Sequence, residues 1–388
     1  MTLLKHLDSP KKTAFNIFLF IWLLSTPFKN AVYQASVILL AIFFVVDIFQ
    51  SRRFDILIKN LREAKLLFIS FFFLMFSMTL SNLLNLDYLD KKSWHMVYMF
   101  AIRYALIFII LAYYYRLEYF SKNDFIVMLY LSFSYLALTG IYTALSLPED
   151  MFTSGLKGTL DYRNAFGLLM GMGLVLSVLL FEHKKQLSII LILVFSTLML
   201  LSVSRSSWVS SIAACLVLFV IHYKKFRWQH IVYMLIFAAF IISIYFSFNS
   251  IQQRFSQLVQ GDGSGRIEIW THTIALITEK IYFGYGIDTW MNLSDSFLKQ
   301  YPDPHNMVLE ILLCTGILGL IAVFIGIYAV LFEIYKQQNY KLFAVATYFL
   351  VITQFDFGAF GSKELLSFLT AFVFFVYLEK FKPIQNTQ

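Results

Sequence analysis

Residues 301–331 read YPDPHNMVLEILLCTGILGLIAVFIGIYAVL. From Met307 to Leu331 the one charged residue is Glu310. A helix of roughly 17–25 apolar residues crosses the hydrocarbon core of a bilayer, so this stretch reads as a membrane helix. It is entered through a polar segment in which Pro302 and Pro304 bracket the approach to His305. Working outward, similar runs recur near 13–28, 31–48, 66–83, 96–114, 125–145, 165–181, 187–203, 206–222, 231–248, 342–355 and 364–378. The chain is 59% hydrophobic and 14% charged, against about 45–50% and about 25% for a soluble domain. The expectation is an all-α polytopic membrane protein of about 12 transmembrane helices, one integral membrane domain over residues 1–388.

The formal charge of +8 first suggests nucleic acid. Most of the cations, however, sit in short segments between apolar runs, among them Lys11, Lys12, Arg52, Arg53, Lys184 and Lys185. That is the positive-inside pattern, which explains the charge without nucleic acid and places both termini in the cytoplasm. The 43 Phe and 23 Tyr suit lipid-facing and interfacial surfaces. Cys215 and Cys314 lie inside apolar runs and read as packing residues, not a disulfide. Lys11 and Lys12 precede the first run without a small-x-small cleavage site, so it reads as a retained helix, not a signal peptide.

On this topology three outer segments stand out: 145–164, the very short SVSRSSW at 202–208, and a large loop of residues 249–305 between the ninth and tenth helices. A loop of that length in a compact protein is usually functional. Inside it Ile267, Trp270, Ile274 and Ile277 fall on one helical face, preceded by GDGSG at 261–265 and followed by YFGYGIDTW at 282–290.

Chemistry-bearing residues collect on the outer side. Arg205 sits between two apolar runs with almost no loop around it, where a charge is costly; it is either an interfacial anchor or an anion site. Arg266 opens the loop helix, and Arg163 stands in DYRNAFG. Guanidinium binds phosphate bidentately and keeps its charge, so arginines gathered at this depth suit a lipid diphosphate. His305 precedes a helix that Asp303 or Asn306 can cap. The positive end of the helix dipole favours a neutral ring, the form a general base needs. Glu310 lies in the first turns of that helix and either orients the site or faces headgroups. Asp356, in TQFDFGAFGSK, either binds sugar hydroxyls or pairs with an arginine. Gly316, Gly319, Ala322 and Gly326 line one helix face and admit a close neighbour. Asp87 and Asp90 read as surface acids. There is no phosphate-binding loop with a Lys-Ser/Thr ending, no HExxH and no metal-ligand spacing, so neither a nucleotide nor a metal or other cofactor is expected.

These motifs resemble the lipopolysaccharide O-antigen ligase family, within the superfamily of O-antigen polymerases and protein O-oligosaccharyltransferases. The ligase pattern is His, a small amide or hydroxyl residue, nine residues, Gly, two residues, then a small residue; here it is His305, Asn306, Met307 to Thr315, Gly316 and Gly319. LSVSRSSW and GRIEIW…YFGYGIDTW resemble the family's Ser-Arg segment and large-loop pattern. The resemblance implies a metal-independent, inverting GT-C-like glycosyltransferase of the bacterial inner membrane, with a periplasmic active site. Its donor would be O-antigen on undecaprenyl diphosphate and its acceptor lipid A–core. It implies Arg205 and Arg266, with Arg163, as donor-diphosphate residues, His305 as the residue that activates the acceptor hydroxyl, and Asn306, Asp356 and Glu310 in support. A polymerase using the same donor is the alternative. A twelve-helix transporter or flippase fits less well, because the segment between the sixth and seventh runs is short and the long loop comes late.

Overall fold

The computed structural model describes residues 9–26, 30–146, 155–223, 228–260, 265–293, 301, 303–356 and 358–382. Residues 261–264 of the expected loop entry, Pro302, and the basic residues Lys5, Lys224, Lys225 and Arg227 lie outside this set. The chain is all-helical, 81% helix, with no strand among the described residues. In chain order the helices are α1 (Pro10–Ser25), α2 (Asn30–Ser51), α3 (Phe54–Glu63), α4 (Lys65–Leu84) and α5 (Lys91–Arg116). Then come α6 (Lys122–Ser146), α7 (Arg163–Leu180), α8 (Lys185–Leu201), α9 (Arg205–His222), α10 (Trp228–Ser247), α11 (Asn249–Val259) and α12 (Arg266–Glu279). The last are the short α13 (Trp290–Leu293), α14 (Met307–Lys336), α15 (Lys341–Ile352) and α16 (Lys363–Tyr377).

A helix stands at each apolar run, but among the described residues seven are long and apolar enough to cross a membrane: α2, α4, α5, α6, α7, α9 and α14. The pair Met234–Ser247 and Asn249–Val259, bent by 104°, makes eight if it is one broken span. The expected count of about 12 therefore exceeds what length and composition support. The shortfall lies in α1, α8, α15 and α16, of 16, 17, 12 and 15 residues, at or below the lower end of the roughly 17–25 residues that span a bilayer. The stretch 249–305 holds α11, α12 and α13.

Two compact units divide the chain. The first comprises Met1–Ser132, Glu268–Gln337 and Phe357–Gln388. Its centre is α14 against α4. Ser70 Oγ of α4 donates to the Ala322 carbonyl at 2.7 Å, and Ser81 Oγ to the Cys314 carbonyl at 2.6 Å. A Cβ on Gly326 would lie 2.6 Å from Ser70 Oγ, and one on Gly319 3.1 Å from Ser77 Oγ. Small residues thus let two apolar helices approach until serine hydroxyls bond across the seam. At the far end of α5 the buried Arg116 pairs with Glu63 and donates to the Lys380 carbonyl at 3.1 Å.

Gly316 departs from the expected continuous face. It has φ 65° and ψ −164° inside α14, so the helix is broken there. This backbone region is open essentially to glycine alone. The break frees carbonyls that must find donors, since at membrane depth an unpaired peptide group is costly. The segment after α12 supplies them: Tyr285 N–H donates to Leu313 O (2.7 Å) and Gly286 N–H to Cys314 O (3.0 Å), while Ile317 N–H donates to Ile281 O (2.8 Å). Gly284, at φ 67°, allows this approach, because a Cβ there would stand 2.6 Å from Leu313 O. The end of α4 clamps the same turn, with Asn82 Oδ1 accepting from Ile287 N–H (2.8 Å) and Asn85 Nδ2 donating to Gly284 O (3.0 Å). Burial, and then its hydrogen bond to Glu279, push the Tyr285 phenol up to about 12, so it remains a donor at neutral pH.

The α12 face is also rotated from the one expected. Ile269, Thr273 and Ile277 are buried, whereas Ile267 and Ile274 are exposed. Ile269 and Ile277 pack with Tyr285, Trp290 and Leu313. Thr273 hides this face from a hydrophobicity pattern; inside the helix its hydroxyl bonds the Ile269 carbonyl at 2.6 Å.

The second unit comprises Phe133–Ile267 and Gln338–Asp356. Here α7 packs on α8, α9 and α15. Gly167 faces Ser202 and Ser207, and Gly171 faces Ser211 and Tyr348. Tyr348 Oη donates to the Leu168 carbonyl at 2.7 Å. Between α8 and α9 only Ser202–Ser204 intervene, with Val203 at φ 50°. Both cysteines are free, and Cys314 is buried.

Candidate functional site

The residues selected from the sequence fall into two groups, one in each unit. In the second unit Arg163 is the first residue of α7 and Arg205 the first of α9, while α12 begins at Arg266. Neither α7 nor α9 has an N-cap side chain bonded to its first turn. The first N–H groups of a helix lack intrahelical partners and carry the positive end of its dipole, a combination that suits anions. Arg205 is buried, and a short serine-rich turn carries it there: Ser204 Oγ lies 3.1 Å from Ser206 Oγ and 2.8 Å from Ser207 Oγ.

Asp356 is the buried anion of this group. Asn164 Nδ2 donates to its Oδ1 at 2.6 Å, Ser206 Oγ donates to its Oδ2, and Arg266 Nη2 stands 3.9 Å from Oδ1. Both carboxylate oxygens are engaged within the protein, so Asp356 is held as a counter-ion. Arg163 feels Arg254, Asp356 and Arg205. Arg254 was missed by sequence reading: it lies on α11 in IQQRFSQLV, where it looks like one cation on an amphipathic surface helix. Its signal is the bend between α10 and α11, which periodicity does not reveal. Asp356 faces Arg266 and Arg163, and Arg163 in turn faces Arg205 and Arg254, a grouping of cations suited to an anion.

The first unit holds His305, Asn306, Glu310, Gly316 and Gly319. Asn306 is the N-cap of α14, its side chain accepting from Leu309 N–H at 3.0 Å. His305 is therefore outside the helix, with φ 51°, a left-handed conformation uncommon for a non-glycine residue. Its N–H donates to Asp303 Oδ1 at 2.7 Å, and its Nδ1 stands 3.2 Å from the same oxygen. Two indoles hold the segment: Trp270 Nε1 donates to the Pro304 carbonyl (3.1 Å) and Trp290 Nε1 to the Tyr301 carbonyl (3.0 Å). The Tyr301 ring meets the His305 ring edge to face at 5.9 Å. Glu310 accepts from Ala359 N–H, so it fixes backbone near the site and does not simply face headgroups. Asp90, read as a surface acid, is exposed and also caps α5 through Ser93. Chemically, a fixed imidazole beside a carboxylate can take a proton from a hydroxyl.

By its fold the chain is a polytopic helical membrane protein. Residues 189–324 match the family described as O-antigen ligase, and that stretch belongs to this family. The matched region contains Arg205, Arg254, Arg266, His305, Asn306, Glu310, Gly316 and Gly319, and leaves out Arg163 and Asp356. A glycosyltransferase-like activity goes with the family. Comparison with curated proteins finds none that matches the chain.

Proposed function

We propose that the protein is an O-antigen ligase, which moves a polysaccharide from undecaprenyl diphosphate to a sugar hydroxyl of lipid A–core at the periplasmic face of the bacterial inner membrane. The observation that carries this reading is the grouping of Arg163 with Arg205, Arg254 and the Asp356–Arg266 pair. A lipid-linked diphosphate needs multivalent, permanently charged donors at membrane depth. In the reaction the acceptor oxygen attacks the anomeric carbon, the bond from that carbon to the diphosphate oxygen breaks, and undecaprenyl diphosphate leaves with the electron pair. Attack from the opposite face inverts the anomeric centre. The acceptor proton passes to His305. Charge grows on the departing diphosphate, and the arginines stabilise it there. The leaving group is already activated, so the reaction runs without ATP or a metal, in a GT-C-like fold.

Two measurements test this. Arg266→Ala removes the cation paired with Asp356 and should raise the KM for the lipid-linked donor about tenfold or more, since a charge-assisted hydrogen bond contributes roughly 1.5–3 kcal/mol; an unchanged donor KM would remove Arg266 from the diphosphate site. Deleting the gene and resolving lipopolysaccharide on a gel tests the reaction class. A lost ligase leaves bare core while polymerised glycan accumulates on the carrier lipid. Core bearing a single repeat would identify a polymerase instead, and lipid-linked units retained on the cytoplasmic face a flippase.

A further inference from the structure

We propose that Asp303 is a positioning residue for His305, setting which ring nitrogen receives the acceptor proton; the proposal rests on the reading of His305 as the proton acceptor. Asp303, Pro304 and His305 form a turn in which the Asp303 carboxylate accepts the His305 N–H at 2.7 Å, a local bond that aspartate makes readily to the backbone two residues on. The same oxygen lies 3.2 Å from His305 Nδ1. One carboxylate oxygen therefore holds the backbone of His305 and lies beside its ring. The left-handed φ of 51° at His305 is strained and persists only where surrounding bonds enforce it.

The carboxylate also lies close to the backbone at Gly358. A Cβ on Gly358 would stand 3.2 Å from Asp303 Oδ2 and 2.8 Å from Glu310 Oε2, and Glu310 holds the Ala359 N–H. Glycine at 358 lets this backbone lie against both acids. The nearby carboxylate favours the proton on Nδ1, which leaves the lone pair on Nε2 to accept the hydroxyl proton. The Nδ1–Oδ1 alignment is loose in this resting geometry, as is common before substrate binds, and tightens as positive charge forms on the ring. Asp303 then stabilises the imidazolium without taking the proton.

The test is Asp303→Asn, which keeps an oxygen for the His305 N–H and removes the charge. The kcat should fall at least about tenfold, with both KM values and the apparent melting midpoint unchanged. Asp303→Ser, whose hydroxyl also accepts in such a turn, should show the same kcat loss and covers the case in which the asparagine variant does not fold. In the double variant, adding Asp303→Asn to His305→Ala should cost nothing further, because a residue that acts only through His305 has no effect once the ring is gone. A wild-type kcat in both single Asp303 variants, or additive losses in the double variant, overturns the proposal. His305→Ala alone retaining full transfer would instead remove the base assignment on which it rests.

Discussion

Replacing Gly316 with alanine is expected to destabilise the first unit by about 3–5 kcal/mol. The glycine occupies φ 65°, ψ −164°, where an L side chain is strained, and a Cβ there would stand 2.5 Å from Phe283 N as well as against the Tyr282 carbonyl. Relief requires the 281–286 segment to withdraw. That withdrawal breaks the bonds from Tyr285 and Gly286 to Leu313 and Cys314 and leaves carbonyls unpaired at membrane depth, where each is costly. The same segment joins α12 to the indoles that hold His305, so activity should be lost along with stability. Thermal inactivation and limited proteolysis of the purified protein in detergent measure this. Gly361→Ala is the internal comparison: a Cβ there meets nothing within 4 Å, so it should behave as wild type. If Gly316→Ala melts with wild type, the break in α14 is not a structural requirement.

His305→Ala is expected to lower glycan transfer by roughly 10²–10⁴-fold, the usual contribution of a positioned general base, while binding of the lipid-linked donor survives. His305→Gln sharpens the comparison. Glutamine retains hydrogen-bonding capacity and takes no proton at neutral pH. If the ring only positions substrate, the glutamine variant should recover most of the rate; if the ring accepts the proton, it should stay as slow as alanine. Donor binding is followed separately with labelled undecaprenyl-diphosphate glycan. Transfer at the wild-type rate in both variants would leave the hydroxyl to be activated by another group.

Much of this was legible in one dimension. Helix-length apolar runs announce themselves by composition, because no other backbone satisfies its own polar groups in lipid. The arginines stood out because a permanent charge inside or beside such a run is costly. Number was less legible than kind. Helices α1, α8, α15 and α16 fall at or below the lower end of the roughly 17–25 residues that span a bilayer, and an apolar run registers in hydropathy at any length. Thr273 and Arg254 escaped for a related reason: periodicity ranks residues by polarity, not by what lies opposite them. The helix after His305 starts at Met307 and is capped by Asn306, one of the two caps the sequence offered.

By itself, the sequence determined an all-helical membrane protein, the identity of its cationic and titratable residues, and the His305-to-Gly319 spacing that resembles the O-antigen ligase pattern. Only the tertiary structure decided how those residues are used. It turned Gly316 from a packing residue into a helix break filled by the backbone of 281–286. It made Asp356 the counter-ion of the arginines and set Asp303 against the His305 ring. The physical reason is that hydrogen bonds and ion pairs form between residues distant in the chain, such as Asn164 and Asp356 or Glu310 and Ala359. Local patterns encode helices, but they do not encode which groups meet once those helices pack.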